Sequence, residues 1–242
     1  MSRRKKPESI ESDQNPFALS TGDLMSGLMF IFVLLLAALM LQIQRQSDEA
    51  SKIREIRESK IQEYKHIKQE IYIDLIKEFG KDTARWNAVI DTINLSIRFQ
   101  KPEDLFKVGK ADIQPGFKKI LDEFFPRYLN LLNKKEYKKN IEEIRIEGHT
   151  DTIDTYEYNM GLSQERSITV LKYCHELIKT DSLKKWMEEK IIASGLSFSH
   201  PIFKQDQPGL IDLERSRRVE FRIRTNAESK IEDILKILQS KD

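Results

Sequence analysis

The sequence predicts a single N-terminal transmembrane helix, a helical connector and a small α+β domain of element order β-α-β-α-β-β, whose mixed sheet carries its helices on one face. Three observations lead there. Residues 24–41 form an 18-residue run without a charged side chain. Residues 44–80 are almost free of turn-formers and repeat apolar positions at three- to four-residue steps. After Gly80, stretches that alternate with a period of two take turns with stretches of helical period.

The span is assigned to residues 17–43. With residues 17–22 in front, the uncharged run can cross a hydrocarbon core of about 30 Å as a helix. A cleaved signal peptide has an apolar core of roughly 7–15 residues and then a small-x-small site. Here the run is longer and "QIQRQSDE" follows it. Residues 1–16 form a basic stub with Arg3, Arg4, Lys5 and Lys6, which the positive-inside rule keeps in the cytoplasm. Everything after about residue 43 then lies on the far side.

Asp23, near the start of the span, has two readings from the residues alone. It can cap a helix that begins after Ser20, Thr21 and Gly22. Alternatively it is an ion- or proton-carrying acid facing other helices, because a carboxylate at a membrane centre costs about 2.5–3.5 kcal/mol and its own segment offers no basic partner. Gly27 lies four residues on, on the same face, and would let a neighbouring helix approach closely.

The connector, residues 44–80, places Ile53, Ile56, Ile61, Tyr64, Ile67, Ile71 and Leu75 along one narrow stripe. It is either a coiled coil or a solvated charged spacer; fully helical, it would reach roughly 55 Å. The outer domain, residues 81–226, opens with "TINLSIRF", where Ile93, Leu95, Ile97 and Phe99 alternate as in a half-buried strand. "QPGFKKILDEFFPRYLNLLNK" predicts a helix with Pro115 near its start and a break or bend at Pro126. "IEEIRIEG" is the next strand and "LSQERSITVLKYCHELIK" the next helix, with Ser163 close to its N-terminal end. "KIIASGL" and "RRVEFRIR" complete the sheet, the last through alternating Val219, Phe221 and Ile223. Residues 227–242 are expected to form a helical tail.

Composition narrows the function. Charged residues make up 33% of the chain, yet 41 Lys and Arg nearly balance 39 Asp and Glu, leaving a net charge of +2. A nucleic-acid binder concentrates a basic surplus on one domain; here the local surplus is the N-terminal stub. The single cysteine, Cys174, rules out an internal disulfide framework and a multi-thiolate metal site. No activated nucleophile and no metal-ligand set stands out. The outer domain is therefore expected to be a binder without cofactor or metal, not an enzyme.

Within that domain "EGHTDTIDTYEYNMGLSQERS" carries Gly148, His149, Thr150 and Asp151, then Tyr158, Asn159, Leu162, Ser163 and Arg166. "ERSRRVEFRI" adds Arg217, Arg218, Val219 and Glu220. In this order and spacing the motifs resemble the peptidoglycan-binding domain family typified by outer-membrane protein A and the flagellar stator subunit MotB, over about residues 91–225. The resemblance implies an OmpA-like fold and a site for the diaminopimelate of peptidoglycan stem peptides, which carries an ammonium and a carboxylate on one carbon. By that resemblance Asp151 takes the ammonium and Arg166 clamps the carboxylate bidentately. Asn159 and the loop backbone fix the peptide, Thr150 and Tyr158 belong to the site, and Leu162 serves packing more than contact. His149 is expected to hydrogen-bond structurally. Two positions depart from the family pattern. Asp154 stands where a glycine often makes a tight turn, and adds negative charge beside the site; Ser216 stands where asparagine commonly precedes Arg217.

The succession of stub, span with an acid near its inner end, helical connector and wall-binding domain is similar to that of MotB-like stators. "TGDLMSGLMFIF", "ARWNAVID" and the stretch from "FQKPEDLFKVGK" to "FFPRYL" also resemble the stator-like subunits of Zorya anti-phage defence systems. This implies a homodimer inside a ring of a multispan ZorA/MotA-like membrane subunit in the bacterial inner membrane. The N-terminus would be cytoplasmic, the outer domain periplasmic and bound to peptidoglycan, and Asp23 would carry the ion that drives rotation. A flagellar MotB-type stator subunit, or a passive wall tether in which Asp23 only caps its helix, shares the same motifs.

Overall fold

The computed structural model describes residues 16–226; the basic cluster Arg3–Lys6 and the tail expected at 227–242 lie outside the described residues. The chain begins in α1 (Pro16–Phe79), and α2 (Thr83–Trp86) leads to a hairpin of β1 (Ala88–Asp91) and β2 (Ser96–Phe99). The short α3 (Pro102–Leu105) precedes α4 (Pro115–Leu132) and α5 (Lys135–Lys138). Then come β3 (Ile141–His149), α6 (Tyr156–Leu177), α7 (Asp181–Lys190) and β4 (Ile191–Gly195), followed by α8 (Leu213–Ser216) and β5 (Arg218–Thr225). By internal packing the chain divides into two units, residues 1–58 and 59–242.

In the first unit the apolar side chains of α1 stand exposed, from Leu24 at 75% to Leu36 at 42%. A helix that is apolar all round buries itself in lipid or among other helices. Among the described residues α1 is the one helix long and apolar enough to cross a membrane. It starts at Pro16, about two turns before Asp23, so Asp23 lies inside the helix and does not cap it. The hydroxyl of Ser26 donates to the Asp23 carbonyl at 3.0 Å, an ordinary intrahelical bond.

The second unit is built on a five-stranded mixed sheet of order β1-β2-β5-β3-β4. β3 and β4 run parallel and every other pair antiparallel. A parallel pair needs a long crossover, and α6 with α7 supplies it. The register sets Phe221 between Ile97 and Ile146, so the period of two gathers Ile97, Phe99, Ile144, Ile146, Val219, Phe221 and Ile223 on one buried face. α4 lays its aromatic side chains there, the Phe124 ring 5.1 Å from both Phe99 and Phe221.

The last turns of α1 complete this core. Ile71, Leu75 and Phe79 are fully buried, and the Phe79 ring lies 5.3 Å from Phe124. Arg127 donates to Glu78 at 2.8 Å and Lys134 to Asp74 at 2.7 Å, fastening α1 along α4. The connector stripe therefore divides: Ile71 and Leu75 belong to the outer unit's core, while Ile56 is 60% exposed.

Three expectations need correction. The strand expected over 92–99 is β2, which begins only at Ser96, and an additional strand, β1, precedes it as its hairpin partner. The Asp91 carboxylate accepts from the backbone N–H groups of Ile93 (2.8 Å) and Asn94 (3.0 Å), and Leu95 adopts φ +50. That Asx-type turn withdraws residues 92–95 from the strand and leaves Ile93 79% exposed. Secondly, α4 runs through Pro126 unbroken. The missing N–H orphans only the carbonyl of exposed Asp122, while buried Phe124, Phe125, Tyr128 and Leu129 hold the helix to the sheet. Thirdly, α6 starts at Tyr156, because the Thr155 hydroxyl caps it, accepting from the Tyr158 N–H at 3.3 Å. Ser163 is thus well inside the helix, and α7 has no counterpart among the expected elements.

Candidate functional site

Two glycines decide where α6 lies. Gly148 and Gly195 are register partners at the ends of parallel strands β3 and β4. A Cβ on Gly148 would come within 2.3 Å of the Ser163 carbonyl oxygen, and one on Gly195 within 2.3 Å of the Gln164 nitrogen. The helix backbone thus rests directly on the strands. Two bonds stitch the contact: the Ser197 N–H donates to the Ser163 hydroxyl at 3.0 Å, and the Gly195 N–H to Gln164 Oε1 at 2.6 Å. Three residues after Ser163, Arg166 is thereby aimed at the loop that follows β3.

There a cavity of about 330 Å³ opens, and Thr150, Asp151, Tyr158, Asn159, Leu162 and Arg166 all line it. Asp151 is 7% exposed; its Oδ1 accepts from the Ile153 N–H at 3.1 Å and its Oδ2 from Arg217 Nη1 at 2.8 Å. Arg166 is 8% exposed and lies 4.9 Å over the Phe106 ring, its Nε donating to the Lys110 carbonyl at 2.9 Å. The Arg166 Nη atoms make no hydrogen bond among the described residues. Burial pulls this guanidinium below the ordinary arginine pKa. Asn159 donates to the Asp154 carbonyl at 3.1 Å and so braces the loop. Thr150 Oγ1 is buried with no partner among the described residues, Tyr158 is half-exposed at the mouth, and Leu162 is half-buried in the wall.

Arg217 also lines the cavity and was missed as a site residue. Two adjacent arginines leading into an alternating strand point to opposite faces; Arg217 meets Asp151, while Arg218 turns behind the sheet. That doublet was the available signal. The remaining wall comes from the turn around Gly109, which has φ +64 and brings Phe106 and Val108 to the cavity. Two carboxylates (Asp151 and Asp154), two guanidinium groups and an apolar wall suit a small zwitterion on an aliphatic stem.

Behind the site, the other face of the sheet carries a buried charge lattice. Glu220 accepts from the Ser96 hydroxyl at 2.6 Å and from Arg218 Nε at 3.1 Å, while Arg222 Nη2 lies 3.2 Å from Glu147. His149 Nε2 is 3.6 Å from Glu147 and 3.8 Å from Glu220, and neither ring nitrogen forms a hydrogen bond among the described residues. His149 is thus a buried ring set between two carboxylates, a structural position rather than a place at the cavity. Ligand-type atoms of Glu147, His149 and Glu220 lie within 4.8 Å of one another. A divalent cation there would sit against Arg218, Arg222 and Arg98, which already neutralise both carboxylates. The cluster is an ion lattice.

This lattice is expected to make the fold acid-sensitive. Burial pushes the His149 pKa below 6.5. Burial also pushes Glu220 upward, but Ser96, Arg218 and His149 together outweigh it and leave this carboxyl below its usual range. Both groups bind a proton more readily when unfolded, so their contribution is present above about pH 6.5 and is lost as pH falls, His149 first and Glu220 after it. The unfolding free energy from urea titration is expected to drop between about pH 6.5 and 5, by at most about 1.4 kcal/mol per pH unit for one proton, and His149→Gln to flatten that interval. Identical profiles for the two proteins would refute the assignment.

Residues 105–210 match the OmpA family. Over 233 residues the chain is 39% identical to Zorya protein ZorB of Escherichia coli strain ATCC 8739, covering 93% of this chain and 94% of that protein. It is 27% identical over 232 residues to Zorya protein ZorB of Escherichia coli O139:H28 strain E24377A, covering 90% and 84%. The crystal structure of a MotB-like protein from Desulfovibrio vulgaris aligns with 67% of this chain and 94% of its own, at 22% identity and a TM-score of 0.47. With an OmpA-family outer unit behind one apolar helix, and likeness to a curated relative over nearly the whole length of both, the chain belongs to the ZorB family of Zorya proteins.

Proposed function

We propose that this chain is the peptidoglycan-anchored, stator-like subunit of an ion-driven rotary motor in the bacterial inner membrane, serving Zorya anti-phage defence. The observation that carries the reading is the pairing of buried Asp151 with Arg166 across one cavity. Asp151 receives the ammonium of a diaminopimelate stem, and Arg166 offers its two Nη atoms to the adjacent carboxylate. Arg217 neutralises Asp151 before ligand arrives, and its guanidinium is the group the ammonium must share the carboxylate with. Phe106, Val108 and Ile153 take the methylene stem.

Residues 17–43 cross the membrane with the N-terminus cytoplasmic and the outer unit periplasmic. Two copies stand inside a ring of a multispan ZorA/MotA-like subunit. The position of Asp23 within α1, on the same side as Gly27, supports an acid that faces the ring and alternates between charged and neutral. The wall grip supplies the reaction point against which the ring turns.

Co-sedimentation with purified diaminopimelate-type sacculi tests the anchor. Asp151→Asn and Arg166→Gln are each expected to weaken binding at least about thirtyfold, the loss of about 2 kcal/mol for one charged pair. Unchanged co-sedimentation of the double variant would sink the diaminopimelate assignment.

A further inference from the structure

We propose that a second cavity, of about 260 Å³ beneath the β1–β2 turn, binds a small multivalent oxyanion of the phosphate type. Lys68 of α1, Arg145 of β3, and Arg222 and Arg224 of β5 converge on it. Lys68, Arg145 and Arg222 each leave donors unused. Lys68 Nζ donates to the Ile93 carbonyl at 2.8 Å and forms no ion pair among the described residues. Arg145 uses only Nε, 2.6 Å from Glu143 Oε1, and that same oxygen accepts from Arg224 Nη1 at 2.9 Å. Arg222 lies 3.2 Å from Glu147 and 3.6 Å from Glu220 but makes no hydrogen bond among the described residues, and its buried Nε is unpartnered. Those two carboxylates belong to the lattice behind the wall site, where Arg218 and Ser96 already engage Glu220.

Four cations thus face the cavity; two of them share Glu143, and Glu142 lies 4.0 Å from Arg224 Nη2. Guanidinium forks match the oxygens of a tetrahedral anion, and a lysine adds a point charge. A single carboxylate ligand would satisfy one fork and leave the others as they are, so a phosphate group fits the donor set better. Because Lys68 belongs to α1 and the arginines to β3 and β5, a bound anion would fasten α1 to the sheet and stabilise the outer unit. The inference is independent of the wall-binding reading. The phosphate could be free in solution or part of a lipid headgroup, and the test separates the two.

The full-length chain in phosphatidylcholine nanodiscs is titrated with inorganic phosphate against chloride at matched ionic strength, and thermal unfolding is followed. A saturable rise in melting temperature with phosphate is expected, with chloride inert. Lys68→Gln, a surface change that leaves the core alone, should weaken the apparent affinity severalfold, and Lys68→Gln with Arg145→Gln at least tenfold. In discs containing phosphatidylglycerol, a rise without added phosphate that both variants lose assigns the headgroup as source; a rise that still needs added phosphate assigns the soluble ion. The proposal is overturned if phosphate acts like chloride and phosphatidylglycerol has no effect, or if the double variant responds as the native chain does.

Discussion

Gly148→Ala is expected to destabilise the outer unit by about 3 kcal/mol and to abolish sacculus binding, an effect at the upper end of small-to-large core changes. The new Cβ would stand 2.3 Å from the Ser163 carbonyl oxygen and 3.1 Å from its carbon, and both atoms are backbone. No rotamer change relieves that overlap. α6 must lift, and it carries Asn159, Leu162 and Arg166 away from Asp151 as it does so. The bonds from Ser197 to Ser163 and from Gly195 to Gln164 are then stretched as well. Gly161, in the same helix, has nothing within 4 Å of its added Cβ. Gly161→Ala is accordingly expected to stabilise by up to about 1 kcal/mol through helix propensity. Urea unfolding followed by the fluorescence of Trp86 and Trp186 measures both variants. A Gly148→Ala chain as stable as Gly161→Ala would show that α6 does not rest on the strand ends.

The second large effect is expected at Asp23. Asp23→Asn keeps size and polarity, and it lowers the cost of placing the helix in lipid, which for a carboxylate is about 2.5–3.5 kcal/mol at the membrane centre. Insertion and assembly with the multispan partner should therefore persist, as scored by co-purification. Anti-phage protection should fall to the level of cells lacking the system, because the amide cannot take up and release a proton. One charge crossing about 100 mV supplies about 2.3 kcal/mol per step, and without a titrating group none of it is coupled to rotation. Full protection by Asp23→Asn would leave only a wall tether. Since α1 begins at Pro16, such an outcome could not be rescued by assigning Asp23 to a helix cap.

Much of this architecture is local and hence visible in the residue order. The uncharged run at 24–41 needs no tertiary context to mark a span. Val219, Phe221 and Ile223 alternate because one face of β5 is buried, and the same period of two placed β3. The six candidate residues of the outer domain were named through their resemblance to a family motif, and the structure gathers all of them around one cavity.

Other features were decided by partners distant in sequence. β1 is four residues long, too short for a periodic signal, and it pairs because Asp91 folds the following turn. The connector stripe looks uniform, yet only its end meets Phe124 and the α4 side chains, so only Ile71, Leu75 and Phe79 are fully buried. Arg217 reaches Asp151 across 66 positions, a meeting set by the β3–β5 register; the arginine doublet shows that one of the pair faces this side, but not which carboxylate it meets. The sequence by itself determined the apolar run and the order of the main strands and helices, and its motif resemblance named six residues that line the first cavity. Tertiary structure alone decided where α1 joins the outer unit, which arginine neutralises Asp151 and which cations surround the second cavity, because register and close backbone approach, unlike periodicity, depend on contacts between distant segments.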